Sequence, residues 1–526
     1  MDNRTIIAIV LIILLWSGYS IFFPPTPQIQ NQDDPVVEAT VSTDVYHEEL
    51  KDTDIVSKND TKSEIRNITI TSDIYNIVLS SRGATIKSVS FNNYKETNKP
   101  DSGSFYLIDN DDFSLYTFKT NFSEGFIIPS DIIYELVGSS SEKLLLNEDS
   151  LELNFVAEYN GFIVTKTYRF YKDYYHFDFV IDVKNTTNTH YSGKYNLSIV
   201  TPWSSDEKSD FYSFLGPLTF DGKKLHEDKP KDVQKNPVIY RDAVWSGFTD
   251  KYFLQALNPQ SSVEQVLISY QSGFIENRFS SSSFVLLPQQ NQTFEHVAFL
   301  GPKKLEYLSA SDTSFEEAIH FGFFHFLAKP LFDVLRFFYG FINNYGFSII
   351  LLTLCIKLIF WPLTHKSYKS MQGMQKLQPE MKRLKEKYAD DKQRLNQEMM
   401  SFYRDNKVNP LGGCLPILIQ IPVFFALYKV LLDSIELRHA PFMLWITDLS
   451  AKDPLYITPI IMGASMFLQQ KLTPTNLDPT QEKVMLMMPI VFTFLFLNFP
   501  AGLVIYWLVN NLLTILQQLI IRRQSA

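Results

Sequence analysis

Long apolar runs stand at both ends of the chain, and a polar, aromatic-rich region separates them. The first run, Thr5 to Phe23, is about 19 residues long, which is close to the length that crosses a bilayer as a helix. Hydropathy predicts five more spans after residue 340, at about 345–363, 415–433, 455–470, 485–499 and 502–521. The pattern therefore predicts a membrane protein with six spans and a large region between the first two.

The N-terminal run has two interpretations, an uncleaved anchor and a cleaved signal peptide. No small-x-small cleavage site precedes Pro24 and Pro25, and the run is long for a signal peptide, so we expect a signal anchor over residues 1–24. Residues 25–62 are rich in Pro, Asp, Glu, Ser and Thr and show little periodicity. They are predicted to form a flexible linker.

Short alternating segments fill the region from residue 63 to about 310. Examples begin at Ile68, Leu151, Phe162 and His176, and turn residues separate such segments at intervals of about ten. Alternation of apolar and polar residues is typical of half-buried strands, so the region predicts an antiparallel β-sandwich. It contains no cysteine, and its stability must therefore come from its own core.

A helical pattern replaces the alternation over residues 311–342. Apolar residues recur at helical spacing, at Phe315, Ile319, Phe323, Leu327 and Leu331. This spacing predicts an amphipathic helix that lies along the membrane interface before the next span. Pro330 is expected to interrupt that helix.

Basic residues are concentrated in three segments that connect or follow predicted spans. Residues 364–413 carry eleven Lys or Arg, residues 471–484 carry two Lys, and the tail 522–526 carries two Arg. Placing all three segments in the cytoplasm satisfies the positive-inside rule. Both termini are then cytoplasmic, and residues 24–342 lie on the outer side.

The basic segment 364–413 has a helical pattern of its own. Apolar residues recur in steps of three and four, first at Met371, Met374, Leu377, Met381, Leu384 and Tyr388, then at Leu395, Met399 and Phe402. This predicts a helical hairpin with a kink near Pro379. Its methionines either pack within the hairpin or form a surface that adapts to varied apolar partners. The candidate surface consists of Met371, Met374, Met381 and Met399.

One charge stands deep inside an apolar span. Lys357 lies about five residues before Pro362, and an ionisable group within a bilayer costs a few kcal/mol or more. Its side chain is too short to reach the interface fully, which favours a hydrophilic pocket over snorkelling. Thr353, one turn earlier, lies on the same face. Lys429 is different, because Asp433 follows it by one turn near a span end and is predicted to pair with it.

The sequence carries no signature of an enzyme, a cofactor or a metal site. It has no nucleotide-binding glycine loop, no metal-spaced cluster of His or Cys and no nucleophile elbow. The net charge of -9 disfavours a nucleic-acid partner. A transporter would be expected to show internal repeats, which are not evident. A membrane-anchored carbohydrate enzyme would leave Lys357 and the hairpin pattern unexplained.

Several motifs resemble those of YidC-type membrane protein insertases. They cover about 345–521 and read Gly346-Phe-Ser-Ile-Ile, Trp361-Pro-Leu-Thr364, Asp391-Lys-Gln-Arg-Leu-Asn-Gln-Glu-Met-Met400, Asn409-Pro-Leu-Gly-Gly-Cys-Leu-Pro-Ile-Leu-Ile-Gln-Ile-Pro422 and Phe499-Pro-Ala-Gly-Leu-Val504. The layout of anchor, large external β-domain and five further spans resembles the Gram-negative bacterial form. The external domain resembles a β-supersandwich of the galactose-mutarotase type, without that fold's catalytic residues.

This resemblance implies a multi-domain protein of the inner membrane. Its parts would be the anchor (1–24), the linker (25–62), a periplasmic all-β supersandwich (63–310), an interfacial region (311–342), a five-helix insertase core (343–521) with the cytoplasmic hairpin (364–413), and a tail (522–526). It would insert and chaperone nascent membrane proteins without a cofactor, alone or beside the Sec translocon. The lipid bilayer and the ribosome are the other partners expected.

The resemblance also implies a hydrophilic groove that is open to the cytoplasm and to lipid. The family usually places an arginine on the second span, and this chain has Lys357 at that position. Lysine keeps the charge but loses the planar, bidentate guanidinium. The other groove residues carried over from the family are Thr353, Gln420, Tyr506 and Trp507.

Overall fold

The computed structural model describes residues 64–99, 101–204, 213–261, 263–388, 391–406, 415–473 and 479–525. The predicted anchor (1–24) and linker (25–62) lie outside these described residues, and so does Cys414. For residues 392, 415–419, 479–484 and 525 only the backbone is described.

The first half of the described chain is built from strands. They are β1 (Asn67–Thr71), β2 (Tyr75–Ser80), β3 (Thr85–Lys95), β4 (Ser104–Asp109), β5 (Lys119–Ser123), β6 (Glu135–Leu136), β7 (Lys143–Leu145), β8 (Ser150–Tyr159), β9 (Phe162–Tyr171), β10 (His176–Asn185), β11 (Tyr191–Pro202), β12 (Gly216–Phe220), β13 (Leu225–Glu227), β14 (Val238–Tyr240), β15 (Trp245–Thr249), β16 (Phe253–Pro259), β17 (Val263–Gln271), β18 (Phe274–Ser281), β19 (Phe284–Leu286) and β20 (Asn291–Pro302). The segments predicted from alternation at Ile68, Leu151, Phe162 and His176 are thus confirmed as strands.

These strands form three sheets. The largest has nine strands in the order β13-β12-β15-β16-β20-β10-β9-β8-β6, and the others have five (β4-β3-β2-β1-β7) and six (β14-β17-β18-β11-β19), with β5 paired to β11. Among the described strands every pairing is antiparallel except that of β1 with β7. The sheets enclose a common apolar core, as a sandwich requires. We call this region, residues 64–302, the β-domain.

Aromatic rings on neighbouring strands fill much of that core. The ring centroids of Tyr168 on β9 and Phe179 on β10 lie 4.6 Å apart, and Phe170 and Phe177 lie 5.0 Å apart. Lys166 is the exception on the same face, because it is fully buried and donates a hydrogen bond to the carbonyl of Gly83. Burial lowers the pKa of Lys166 to about 7.

Helices dominate the chain after the β-domain. They are α3 (His325–Ile342), α4 (Tyr345–Lys376), α5 (Gln378–Lys387), α6 (Lys392–Asp405), α7 (Leu415–Asp433), α8 (Ile457–Leu472), α9 (Pro479–Phe496) and α10 (Ala501–Ser525), and they follow two single-turn helices, α1 (Pro230–Val233) and α2 (Leu305–Leu308). Short 3-10 turns lie at Phe113–Leu115, Phe315–Ala318, Gly322–Phe324 and Ile435–Leu437.

The five predicted C-terminal spans each coincide with a helix, although the bounds differ. Helix α4 continues thirteen residues past the predicted end of its span at residue 363 and includes the start of the basic segment. By length and composition, Tyr345–Lys376 and Ala501–Gln524 could cross a membrane, and Met485–Phe496 is a shorter apolar helix. The break near Pro379 is also present, because α4 ends at Lys376 and α5 begins at Gln378.

The prediction that Pro330 interrupts the amphipathic helix is wrong. Pro330 lies inside α3, where it costs one backbone hydrogen bond. Ala328, Phe332 and Leu335 of the same helix are buried against the helical region, and this burial offsets the loss. Helix α3 therefore runs unbroken from His325 to Ile342.

The loop after α7 fastens the helices to the β-domain. Arg438 donates a hydrogen bond of 2.7 Å to the carbonyl of Lys95, and its guanidinium lies 5.0 Å from the ring centroid of Phe105 and 5.3 Å from that of Phe253. Asp433, the last residue of α7, accepts a hydrogen bond of 2.8 Å from Ser213. We call the ends of the helices at this junction the domain-side ends, and the opposite ends the hairpin-side ends.

Candidate functional site

The domain-side half of the helical region is closed mainly by apolar packing. Helix α10 packs along both α4 and α8. Its first residues, including Val504, join a buried cluster with Ile349 of α4, Leu427 of α7 and Met462 of α8. Apolar contacts among these four helices therefore dominate this half of the described helical region.

Lys357 lies at the hairpin-side edge of this apolar cluster. Its ammonium donates a hydrogen bond of 2.8 Å to the hydroxyl of Thr514 on α10. Among the described residues this is the one hydrogen bond of the ammonium, which has three hydrogens to donate. The side chain is half-buried and is directed toward α10. The side chain therefore contacts a polar group of another helix, and the hydrophilic pocket stays a prediction.

Thr514 belongs to a stripe of buried polar residues along α10, which we call the α10 polar stripe. The stripe consists of Asn511, Thr514, Gln517 and Gln518, each at most 5% exposed. Spacings of three and four residues place these side chains on one face of the helix. Their neighbours on α4 and α8 are polar as well. The interior of the helical region thus changes from apolar to polar at the level of Lys357.

Each member of the stripe bonds to a neighbouring helix or to the end of one. Asn511 donates to the hydroxyl of Ser465 on α8 at 3.1 Å, and Gln517 donates to the hydroxyl of Thr364 on α4 at 2.7 Å. Gln518 donates to the hydroxyls of Tyr368 at 3.0 Å and Thr473 at 2.9 Å. Buried polar groups are costly unless paired, so these bonds fix how α4, α8 and α10 meet.

The other residues carried over from the family fall into separate places. Gln420 of α7 donates a hydrogen bond of 3.0 Å to the hydroxyl of Tyr506, so the structure brings these two together. Thr353 is buried on α4, and its hydroxyl donates to the carbonyl of Ile349 in its own helix at 2.6 Å. Tyr506 precedes Thr514 by about two helical turns, roughly 12 Å. The Gln420–Tyr506 pair and Lys357 therefore mark two different depths.

Trp507 lies in an aromatic cluster rather than beside Lys357. Its ring centroid is 4.9 Å from that of Phe424 on α7, 5.3 Å from Phe496 and 6.2 Å from Phe492, both on α9. This cluster joins three helices by ring packing. Trp507 is placed to support the walls of the site.

The methionines of the predicted hairpin surface differ in exposure. Met381 is 7% exposed, whereas Met371, Met374 and Met399 are half-buried. The methionine that is largely exposed is Met400, at 64%. Met381 is therefore the buried member of the four, and the largely exposed methionine of this segment lies on α6.

Lys429 is paired as expected. Its ammonium lies 3.3 Å from a carboxylate oxygen of Asp433, one turn later in α7. Lys429 therefore belongs to the junction with the β-domain. Lys357 is the one charged residue in the predicted span 345–363.

The stripe that receives Lys357 was missed by the sequence reasoning, although a signal was present. Five polar residues recur within the last apolar run, namely Asn510, Asn511, Thr514, Gln517 and Gln518. Polar residues inside a predicted span face the bundle interior or a wet cavity, so their spacing marked one functional face. The partner of Lys357 is 157 residues away along the chain.

Two family models match consecutive parts of the chain. The family described as 60Kd inner membrane protein matches residues 337–526, and the YidC periplasmic domain family matches residues 67–334. Two solved structures are similar over 87% of this chain. One is an active YidC insertase with its first transmembrane domain resolved (21% identity, 92% of that chain, TM-score 0.37), and the other is YidC from Thermotoga maritima (18% identity, 98% of that chain, TM-score 0.31).

Relatives of similar length share much more of the sequence. The membrane protein insertase YidC of Geobacter sulfurreducens is 42% identical over 100% of this chain and 99% of its own length. That of Syntrophus aciditrophicus is 40% identical over the full length of both chains. The resemblance inferred from the sequence motifs is thereby confirmed. The chain belongs to the YidC family of membrane protein insertases.

Proposed function

We propose that Lys357 and the α10 polar stripe line the hairpin-side part of a hydrophilic groove, which receives the polar segments of nascent membrane proteins. The observation that carries the proposal is the hydrogen bond from Lys357 to Thr514. This bond places the one charged residue of the predicted span 345–363 beside the four buried polar residues of the stripe. As an insertase of the membrane, the chain acts on membrane proteins within the lipid bilayer, and this groove is its working part.

The groove lowers the barrier to moving a polar segment across the bilayer. Each charged group faces a cost of several kcal/mol in about 30 Å of hydrocarbon. A wet, cationic space that reaches as far as Lys357 removes part of that distance and attracts acidic groups. The apolar cluster on the domain side prevents a continuous water path. Once the polar segment has crossed, burial of the substrate's apolar segment in lipid drives completion.

Lysine can serve here in place of the arginine usual in the family. One hydrogen of the Lys357 ammonium is used by Thr514, so the remaining hydrogens can reach water or a substrate carboxylate. A site that needs only a positive charge is satisfied by this arrangement. A site that needs bidentate hydrogen bonding would favour arginine.

The proposed topology places the hairpin-side ends of the helices in the cytoplasm. The described parts of the basic segments, including Lys366, Lys471 and Arg522, lie at those ends, which supports the assignment. The anchor would then begin in the cytoplasm and lead to a periplasmic β-domain, with α3 at the outer membrane surface. The domain bounds inferred from the sequence form part of this proposal.

The hairpin and the β-domain would contact partners. The exposed apolar surface around Met400 on α6 suits apolar segments of substrates, and the basic charge beside it suits the ribosome. The Sec translocon would be a further partner in the membrane. The β-domain would act as a scaffold, held to the core by Arg438.

Crosslinking of a stalled nascent membrane protein tests the groove. In a chain with Cys355 and Cys414 replaced by serine, a single cysteine at Asn510 should crosslink to the substrate's polar segment. Leu512 is the matched control, because it lies two residues from Asn510 on the exposed face of α10. Equal crosslinking at the two positions would contradict the proposal.

A further inference from the structure

A cavity apart from the groove lies where α3, the start of α4 and the end of α7 meet the β-domain. Its volume is about 340 Å³. Charged side chains of both signs line it: Lys304, Glu306, Arg336 and Glu436. The cavity is separate from the groove, because Tyr345 on its wall precedes Lys357 by twelve residues, about 18 Å of helix.

The cationic side of this cavity has unused hydrogen-bonding capacity. Within the part of the chain that the structure describes, the guanidinium of Arg336 forms no hydrogen bond or ion pair, and it lies 5.7 Å from the ring centroid of Phe332. Lys304 is paired with Glu306. A planar guanidinium with five free N–H groups beside an ammonium is suited to a phosphate group.

The lining also includes a carboxyl group without a hydrogen-bond partner among the described residues. Both carboxylate oxygens of Glu436 are buried and have no hydrogen-bond partner among the described residues. Burial raises the pKa of Glu436 to about 7, although the charges of Arg336 and Lys304 oppose this shift. A buried carboxyl is normally paired, so this one is open to an ammonium group brought by a ligand.

Tyrosine hydroxyls complete the lining. Tyr94 of β3, Tyr339 of α3 and Tyr345 of α4 all border the cavity, and the rings of the last two are stacked with centroids 3.9 Å apart. Among the described residues none of the three hydroxyls has a hydrogen-bond partner. The cavity thus offers neutral donors in addition to its charged groups.

The helix that carries Arg336 also presents apolar side chains to its surroundings. Phe337 is 61% exposed and Phe341 is 74% exposed, and they lie about 100° and 140° around α3 from Arg336. On the proposed topology, these rings enter the outer leaflet. The ends of lipid molecules beside α3 are then within reach of the cavity.

We propose that this cavity binds the headgroup of a phospholipid that carries both a phosphodiester and a primary ammonium, such as phosphatidylethanolamine. Arg336, Lys304 and the tyrosine hydroxyls receive the phosphate, and Glu436 receives the ammonium. The carboxyl groups of Glu306 and Glu436 oppose a purely anionic headgroup. A quaternary choline has no N–H to donate to Glu436. The proposal rests on the placement of α3 at the membrane surface under the proposed function.

Lipid retention on the full-length protein tests this assignment. The protein is purified from nanodiscs that contain phosphatidylethanolamine, phosphatidylglycerol and phosphatidylcholine in equal amounts, and the retained lipids are identified by native mass spectrometry. The expected preference for phosphatidylethanolamine is about tenfold, the size of one hydrogen bond to a charged group. Arg336→Gln should remove it, and Glu436→Gln should abolish discrimination against phosphatidylcholine.

Matched controls distinguish this cavity from the exposed surface of α3 and from the groove. Lys329→Gln alters an exposed cation of the same helix outside the cavity and should keep the preference. Lys357→Leu should also keep the preference for phosphatidylethanolamine, even where it slows insertion. The lipid proposal and the groove proposal can therefore fail independently. Equal retention of the three lipids by the unaltered protein, or an unchanged preference in Arg336→Gln, would overturn the proposal. So would displacement of the lipid by excess inorganic phosphate, because that result would identify a free-anion site.

Discussion

Replacement of Lys357 by leucine removes the charge of the groove with little expected damage to the fold. Thr514 loses its bond from the ammonium, but its hydroxyl still donates to the carbonyl of Asn510 at 2.7 Å. No buried donor is therefore left unpaired, and leucine is cheaper than lysine inside a bilayer. The thermal unfolding temperature of the variant should be unchanged or higher.

The effect on insertion follows from the lost attraction. An ammonium and a substrate carboxylate about 4 Å apart interact by about 4 kcal/mol at an effective dielectric constant of 20. Desolvation and ordering of the side chains offset roughly half of this. The remaining ~2 kcal/mol corresponds to about a 30-fold slower insertion of substrates with acidic outer segments.

The assay is protease protection of a substrate tail in proteoliposomes that contain the purified chain. Lys357→Arg should retain most of the insertion rate because it keeps the charge, and Lys452→Gln is the control for loss of an exposed lysine. A substrate with an uncharged outer tail should be affected much less. Normal insertion of the acidic substrate by Lys357→Leu would refute the charge argument.

Three further predictions concern stability and assembly. Lys166→Met should stabilise the β-domain by a few kcal/mol at pH 7 and below, because the folded-state pKa of Lys166, about 7, lies below its unfolded value. This gain in stability should shrink as the pH rises toward 10. Thermal unfolding of the full chain at several pH values measures the gain. Gly463→Val should lower the unfolding temperature of the helical region, since an added Cβ would lie 1.8 Å from the hydroxyl of Thr493, whereas Gly340→Ala on open surface should not. Arg438→Ala should speed proteolysis between the β-domain and the helices, and unchanged cleavage would show that Arg438 does not hold the junction.

The strands and spans were largely predictable because each has a local periodicity. Strands β8, β9 and β10 alternate over ten residues each, and the alternation alone identified them. These three strands also pair with their neighbours along the chain. The parallel pairing of β1 with β7 joins distant segments and had no local signal. The end of α4 was missed for another reason. Hydropathy locates where a span leaves the bilayer, whereas the helix ends only near Pro379.

The candidate site was predictable in kind but not in detail. Lys357 was identified because a charge in a span is expensive, and Gln420 and Tyr506 do meet. Thr514 was not identified, since packing of α10 against α4 decides which residue faces the lysine. Trp507 packs against aromatic rings of neighbouring helices, and its place in the groove stays a prediction.

Water access to the space beside Lys357 is the most direct test of a hydrophilic groove. Asn510 and Leu512 are two residues apart on α10, about 3 Å in depth, but they lie on different faces. In a chain whose natural cysteines are replaced by serine, a water-soluble maleimide is added from the hairpin side in membranes, and it reacts only where water allows a thiolate to form. A hydrophilic groove beside Lys357 predicts labelling of Asn510→Cys and none of Leu512→Cys. Absence of labelling at both positions, or equal labelling, would contradict it.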